Sequence, residues 1–175
     1  MDVAGHHKHM NESWFISDTH FNHANIIEYC KRPFQDVAHM NRVMIDQWRD
    51  LVHEGDVVYH LGDFGFGPWH TIEAILPQLP GLLCLITGNH DRGRENRFRR
   101  AGVAVARHVH VKLANRWVLA RHKFDPEYDG WQLCGHVHRW FRKHPSKKVI
   151  NVGVDVWNFE PVCEETLASM IERGG

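Results

Sequence analysis

Leu82-Leu83-Cys84-Leu85-Ile86-Thr87-Gly88-Asn89-His90-Asp91 is the stretch on which the fold turns. Five apolar residues follow Pro80-Gly81 and end at Thr87-Gly88. That is too short for a stable helix and reads as a buried strand bounded by turn residues. The cluster at its end offers an amide, an imidazole and a carboxylate, side chains that bind cations and move protons.

Working outward, the same pattern recurs. Trp14-Phe15-Ile16 stops at Ser17-Asp18-Thr19-His20, and residues 56–61 stop at Gly62-Asp63. Helical segments separate these strands. Residues 24–30 suit a short helix. Across residues 37–52, Val37, Met40, Met44, Trp48 and Leu51 form one apolar stripe at helical spacing, with Asp36 placed to cap it. Ile72, Ile75, Leu76 and Leu79 mark another helix, cut short by Pro77 and Pro80. Strand, helix, strand, helix, strand predicts an α/β sheet with crossover helices. The second half differs: 103–111, 117–120, 132–134 and 148–156 read as strands, and only 164–172 as a helix. These predict a second, antiparallel or mixed sheet packed on the first.

The 175 residues are enough for one domain with a full core, expected over 13–175. Apolar content of 43% and charged content of 24% are ordinary for a globular chain. Lys plus Arg equals Asp plus Glu at 21 each, so net charge provides no general pull toward nucleic acid or anionic membrane. Histidine, at 16 residues, is the outlier. Part of that excess lies in Gly5-His6-His7-Lys8-His9, and residues 1–12 read as a disordered arm or tag remnant. Cys30, Cys84, Cys134 and Cys163 form no CxxC pair and read as reduced structural thiols, which together with the absence of a signal peptide predicts a cytoplasmic protein. No apolar run reaches the ~18 residues of a membrane span.

In α/β sheets ligands gather at the carboxyl ends of strands. Four polar clusters stand at such ends: Asp18-Thr19-His20, Gly62-Asp63, Gly88-Asn89-His90-Asp91 and Gly135-His136-Val137-His138. Carboxylate, amide oxygen and imidazole suit Mn, Fe, Co, Ni or Zn. The absence of thiolate argues against a structural zinc site. The i, i+2 spacing of Asp-x-His and His-x-His puts both side chains on one side of an extended segment. The glycines before Asp63, Asn89 and His136 allow a sharp turn at the rim.

With D-x-H at Asp18 and His20, G-D at Gly62 and Asp63, G-N-H-D at 88–91, a lone histidine, and G-H-x-H at 135–138, all in order, the sequence resembles the calcineurin-like metallophosphoesterase superfamily, in its small, cap-less bacterial and phage form. The resemblance covers residues 13–162. It implies a four-layer α/β/β/α sandwich of two mixed sheets and a centre of two divalent metal ions, with Mn favoured. Asp18, His20 and His138 would bind the first ion, Asn89, His122 and His136 the second, and Asp63 both. His90 would face the phosphate and aid departure of the leaving group, and Asp91 would orient or charge-stabilise His90. His122, after Val118-Leu119-Ala120, is favoured as the lone histidine; His108 and His110 are its competitors, reading as one strand face.

The activity so implied is phosphoester hydrolysis by a metal-bridging hydroxide, as phosphodiesterase or phosphatase. Diesterase activity is favoured, and nucleotides or nucleic-acid ends are candidate substrates. No insertion is long enough for a cap domain, which predicts an open site. Alternatives are a protein or dinucleoside-polyphosphate phosphatase, and a non-catalytic scaffold of the same fold. The scaffold members have lost ligand or catalytic residues, and here every ligand and His90 remain. No membrane or obligate protein partner is expected. His23 and Arg92 are candidate substrate contacts; Asn25 stays open. Arg92, Arg94, Arg97, Arg99 and Arg100 read mostly as a solvated helix face with Glu95 in a salt link, Arg92 excepted. A second basic run holds Arg139, Arg142, Lys143, Lys147 and Lys148. Trp69, Trp131, Trp140 and Trp157 could stack on a base but read mainly as packing.

Overall fold

The structure, a computed structural model, describes residues 11–174. Residues 1–10 of the expected arm lie outside them. Glu12 belongs to the folded part: its N–H donates to Asp56 Oδ1 at 2.9 Å, and its carbonyl accepts from Val57.

Strands β1 (Ser13–Ile16), β2 (Val57–His60), β3 (Leu82–Ile86) and β4 (Ala104–Ala106) form a parallel array, with β9 (Val162–Cys163) antiparallel to β1 at its edge. The order is β4-β3-β2-β1-β9. Helices α1 (Asn25–Tyr29), α2 (Val37–Leu51), α3 (Trp69–Glu73) and α4 (Glu95–Arg100) lie in the connections between β1 and β4. The second sheet runs β5 (His108–Leu113), β6 (Arg116–Arg121), β7 (Trp131–Cys134), β8 (Val149–Asn151). Its first pair is antiparallel and the others parallel, so both sheets are mixed. Helix α5 (Glu164–Glu172) contacts β1, β5 and β9. The fold is the α/β/β/α sandwich with two mixed sheets that the sequence led us to expect.

Strand alternation divides the core. Trp14 and Ile16 face the helices, where α2 supplies Met40, Met44 and Trp48. Phe15 faces the other way, meeting Val111, Val118, Leu133 and Ile150 of the second sheet and Leu167 and Ile171 of α5. Full burial of each large side chain contributes about 1.5–3 kcal/mol. Asp36 caps α2 as expected, accepting from the His39 N–H at 2.7 Å.

Three segments depart from the expected elements. Residues 103–111 are not one strand: the chain leaves the first sheet after Ala106, passes Arg107, and enters the second sheet at His108. Of 148–156 only β8 is extended, and residues 154–156 form a 3-10 turn. The helix expected around 72–79 is α3 followed by a 3-10 turn at Leu76–Gln78, because Pro77 cannot donate its part of an α-helical ladder. Among the described residues no helix is long and apolar enough to cross a membrane, and all four cysteines are free.

Candidate metal centre

The segments after β1, β2, β3, β6 and β7 meet at one edge of the sandwich. Asp18 N–H donates to Gly62 O and His20 N–H to Asp63 O, both at 3.0 Å, joining the first two segments. The i, i+2 pairs are not extended. Asp18 (φ 56°), His20 (50°), Asp63 (56°), His136 (68°) and His138 (45°) all adopt left-handed backbone. Non-glycine residues rarely do so, at a cost of order 1–3 kcal/mol each, and such strain concentrates where function needs it. The side chains therefore converge by curling the backbone, not by strand alternation.

The glycines also act differently from the sequence expectation. Gly62 does use a positive φ, 94°, but a Cβ there would also stand 2.6 Å from the Gly88 Cα. At Gly88 and Gly135 the need is space: a Cβ would run into Asp63 in the first case and into Ser17 and Asp18 in the second. Gly62→Ala is therefore expected to destabilise the fold by about 2–4 kcal/mol, since backbone must move to relieve the clash. Urea unfolding measures it, and a loss under about 1 kcal/mol contradicts the packing argument.

Three candidate ligand groups result among the described residues, one of which joins Cys30 and Asp155 to His138, and the other two carry the residues expected from the sequence. Asp18, His20 and His138 each offer an atom within 4.8 Å of the others, and so do Asp63, His122 and His136. Asp63 lies between these two groups: its Oδ2 is 3.7 Å from His20 Nε2 and 3.4 Å from His122 Nε2. Those two imidazole nitrogens are buried and have no hydrogen-bond partner. Asn89 is exposed, its amide nitrogen 3.2 Å from His136 Nδ1. The sequence competitors of His122 stand elsewhere: His108 and His110 are exposed on β5.

Other bonds aim these side chains. His122 Nδ1 donates to Leu61 O at 2.7 Å and His138 Nδ1 to Asp155 Oδ2 at 2.8 Å, leaving each Nε2 to point inward. The Asp18 carboxylate accepts the His136 N–H, and Asp63 Oδ1 accepts the His90 N–H at 2.9 Å. Burial pushes the Asp18 carboxyl up, opposed by His122 and His138. Burial also works on Asp63, but the nearby His122, the His90 N–H and His20 override it and hold the carboxylate ionised. His20 is driven down to about 2, chiefly by burial, so its ring is neutral. A neutral imidazole beside an ionised carboxylate is a cation-ligand pair.

No protein-family model matches the chain. It is 38% identical over 176 residues to the uncharacterized protein MJ1445 of Methanocaldococcus jannaschii, covering 94% of each chain. The chain belongs to the MJ1445 family. It is also similar to the Gene 66 protein of Mycobacterium phage L5, 26% identical over 184 residues, covering 85% of this chain and 88% of the phage protein. The crystal structure of AQ665 from Aquifex aeolicus, a protein of unknown function, superposes with a TM-score of 0.74 at 24% identity, over 93% of this chain and all of that one. That likeness concerns the fold.

Around the ligand groups of this MJ1445-family member stand the other singled-out residues. His90 is exposed, its ring 5.2 Å from that of His20 and 5.7 Å from that of Phe66. His23 reaches His20 Nδ1 at 3.3 Å and stacks on Phe66 at 4.5 Å. Asn25 lines the same cavity. Asp91 points away from the role expected of it. Its carboxylate accepts the N–H groups of Asp63, Phe64 and Gly88 at 2.7–3.0 Å, clamping two motif loops together instead of orienting His90. Arg92 is exposed and lines a neighbouring cleft. Glu95 forms no salt link with the arginines among the described residues. Trp131 is buried, Trp69 packs on Phe98 at 5.0 Å, and Arg142 lies over Trp157 at 4.4 Å; Trp140 alone of the four stands exposed at the site.

Sequence reasoning missed two groups. Asp155 aims His138, and Arg32 grips both Asp155 oxygens, at 2.8 and 3.0 Å, while donating to the carbonyls of Asp18 and Thr19. The only signal for Asp155 was a lone carboxylate in an apolar run; Arg32, beside Pro33, offered none. Buried His60 is the second: its ring bonds Thr19 Oγ1 at 2.9 Å and accepts the Gly62 N–H at 3.2 Å, bracing both loops.

Proposed function

We propose that this site holds two divalent cations and that the protein hydrolyses phosphoester bonds, preferring diesters. The observation that carries the reading is the pair of buried, unpartnered nitrogens, His20 Nε2 and His122 Nε2, on either side of the Asp63 carboxylate. A buried polar atom without a partner costs about 1–3 kcal/mol, and two of them beside one carboxylate are satisfied together by cations. Asp18, His20 and His138 would hold one ion, Asn89, His122 and His136 the other, with Asp63 shared. An all-oxygen and imidazole donor set suits Mn first, and Fe, Co, Ni or Zn as well. Bound there, the cations would supply charge for the phosphoryl oxygens and a water nucleophile near neutral pH.

The chain's own residues do the rest. Asp155 and the Leu61 carbonyl hold the His138 and His122 rings in orientation. Asp63 fixes the His90 backbone, and the His90 ring, exposed at the mouth, is placed to protonate a departing oxygen. Asp91 keeps the loops at the spacing the ligands need. The open cavity of about 1050 Å³ accommodates a group on each side of a phosphorus, which favours diesters over monoesters.

The test is release of p-nitrophenolate from bis-p-nitrophenyl phosphate by the full chain with Mn²⁺. Turnover abolished by a chelator is expected. His90→Ala is expected to lower kcat by about 10²–10³-fold while Mn²⁺ binding, read by calorimetry, is retained. No hydrolysis of any mono- or diester with any of the five metals overturns the reading in favour of a non-catalytic scaffold.

A further inference from the structure

We infer that the substrate of this centre is a single-stranded nucleic acid, its bases stacked at the mouth of the metal centre and a phosphate beyond the scissile one held in a separate arginine cleft. This rests on the phosphoesterase reading above.

The mouth is built for more than a phosphate. The cavity of about 1050 Å³ takes in His20, Asp63, His90 and His138, and its walls expose Trp140 at 83%, Tyr29 at 71% and Phe66 at 44%. Three large rings turned to water around one site are unusual, because burial would stabilise each of them. Phe66 is preset by stacking on His23 at 4.5 Å and meeting His90 edge-on at 5.7 Å. Fixed aromatic faces beside a phosphate-handling centre are what unstacked bases bind, whatever their identity.

The second feature is independent of those rings. A cavity of about 870 Å³ is lined by Arg92, Arg99 and Arg107 together with Thr87. Thr87 immediately precedes Gly88-Asn89-His90, so the cleft opens beside the same strand end that carries the metal centre. Glu95 also lines it, yet none of the three guanidinium groups pairs with a carboxylate among the described residues. Arg99 has one bond, to Asn96 at 3.0 Å. The whole chain is neutral, so this concentration of unpaired positive charge is local. Guanidinium groups gathered in a cleft suit a phosphate bidentately.

Together the two features select the substrate. A phosphopeptide provides one phosphate and no reason for three exposed rings. A mononucleotide provides a base but no second phosphate out of line with the first. A polynucleotide offers both at each step, and only in single-stranded form are its bases free to stack on protein.

The experiment uses the full chain with Mn²⁺, fluorescein-labelled 12-nucleotide oligothymidylate and oligouridylate, and bis-p-nitrophenyl phosphate as the reference diester. Variants are Trp140→Ala and the double change Arg99→Ala with Arg107→Ala, all at exposed positions, each checked by its circular-dichroism melt. Cleavage of either strand is expected, and the ratio between the two identifies the preferred sugar. The ratio of kcat/KM for oligonucleotide to that for the small diester is expected to fall about tenfold in each variant. For the arginine variant, the slope of log affinity against log salt should shrink by about 0.7 for each phosphate that is no longer neutralised. Hydrolysis of the small diester with neither oligonucleotide bound nor cleaved overturns this inference and leaves the phosphoesterase reading intact. Oligonucleotide cleavage whose ratio is unmoved in both variants overturns it as well. No hydrolysis of any substrate fails the phosphoesterase reading first.

Discussion

Asp63→Asn is expected to lower Mn²⁺-dependent diester hydrolysis by about a thousandfold or more and to weaken cation binding at both of the expected ligand groups at once. The change is nearly isosteric, and Oδ1 remains to accept the His90 N–H. What is lost is the negative charge between His20 Nε2 and His122 Nε2, 3.7 and 3.4 Å from Oδ2. Asp63 groups with His122 and His136, and the same Oδ2 approaches His20 of the neighbouring group. Asp63 is also held firmly ionised, by His122 and the His90 N–H against the pull of burial, so the charge removed is a full one. Calorimetric Mn²⁺ titration beside steady-state kinetics measures both effects. A variant that keeps activity within tenfold of the parent would sink the shared-ligand role.

Arg32→Met should cost about 3–5 kcal/mol of stability, the largest loss we expect from a single change outside the ligands. Arg32 is 4% exposed, and its guanidinium binds both Asp155 oxygens and the carbonyls of Asp18 and Thr19. Methionine fills much of the volume but leaves the Asp155 carboxylate buried against His138 alone. It also frees the Asp18 carbonyl, on a residue already in left-handed backbone. Urea unfolding of the two proteins gives the difference. Replacing both partners, Arg32→Met with Asp155→Leu, should restore part of the stability, because no uncompensated charge is then left inside. The same double variant should bind Mn²⁺ about 10–100-fold more weakly, since His138 loses the group that aims it. A stability loss below about 1 kcal/mol for Arg32→Met would show that the pair contributes little.

Much of the architecture was legible in short stretches of sequence. Strands β1, β2 and β3 are apolar runs, each ending in a polar cluster, and α2 shows its buried stripe and its Asp36 cap. What misled was continuity. Residues 103–111 alternate like one strand, yet Arg107 marks the passage from one sheet to the other. Alternation reports that a residue pair has two faces, not which sheet those faces belong to. Likewise Asp-x-His spacing reads as extended in isolation, whereas Asp18 and His20 sit at φ 56° and 50° because bonds to Gly62 O and Asp63 O hold them there.

The sequence by itself determined the chemistry of the site: which residue types stand at which strand ends, and that these are oxygen and imidazole donors without thiolate. Those are properties of order and spacing along one chain. Only the tertiary structure decided how the donors meet. It set Asp63 between two unpartnered histidine nitrogens, turned Asp91 into a backbone clamp, and brought Arg32 and Asp155 together from 123 positions apart. It also gathered Arg92, Arg99 and Arg107 in one cleft and left Trp140 exposed beside His138. Proximities of that kind depend on how two sheets stack and where a chain crosses between them, and no local pattern encodes them.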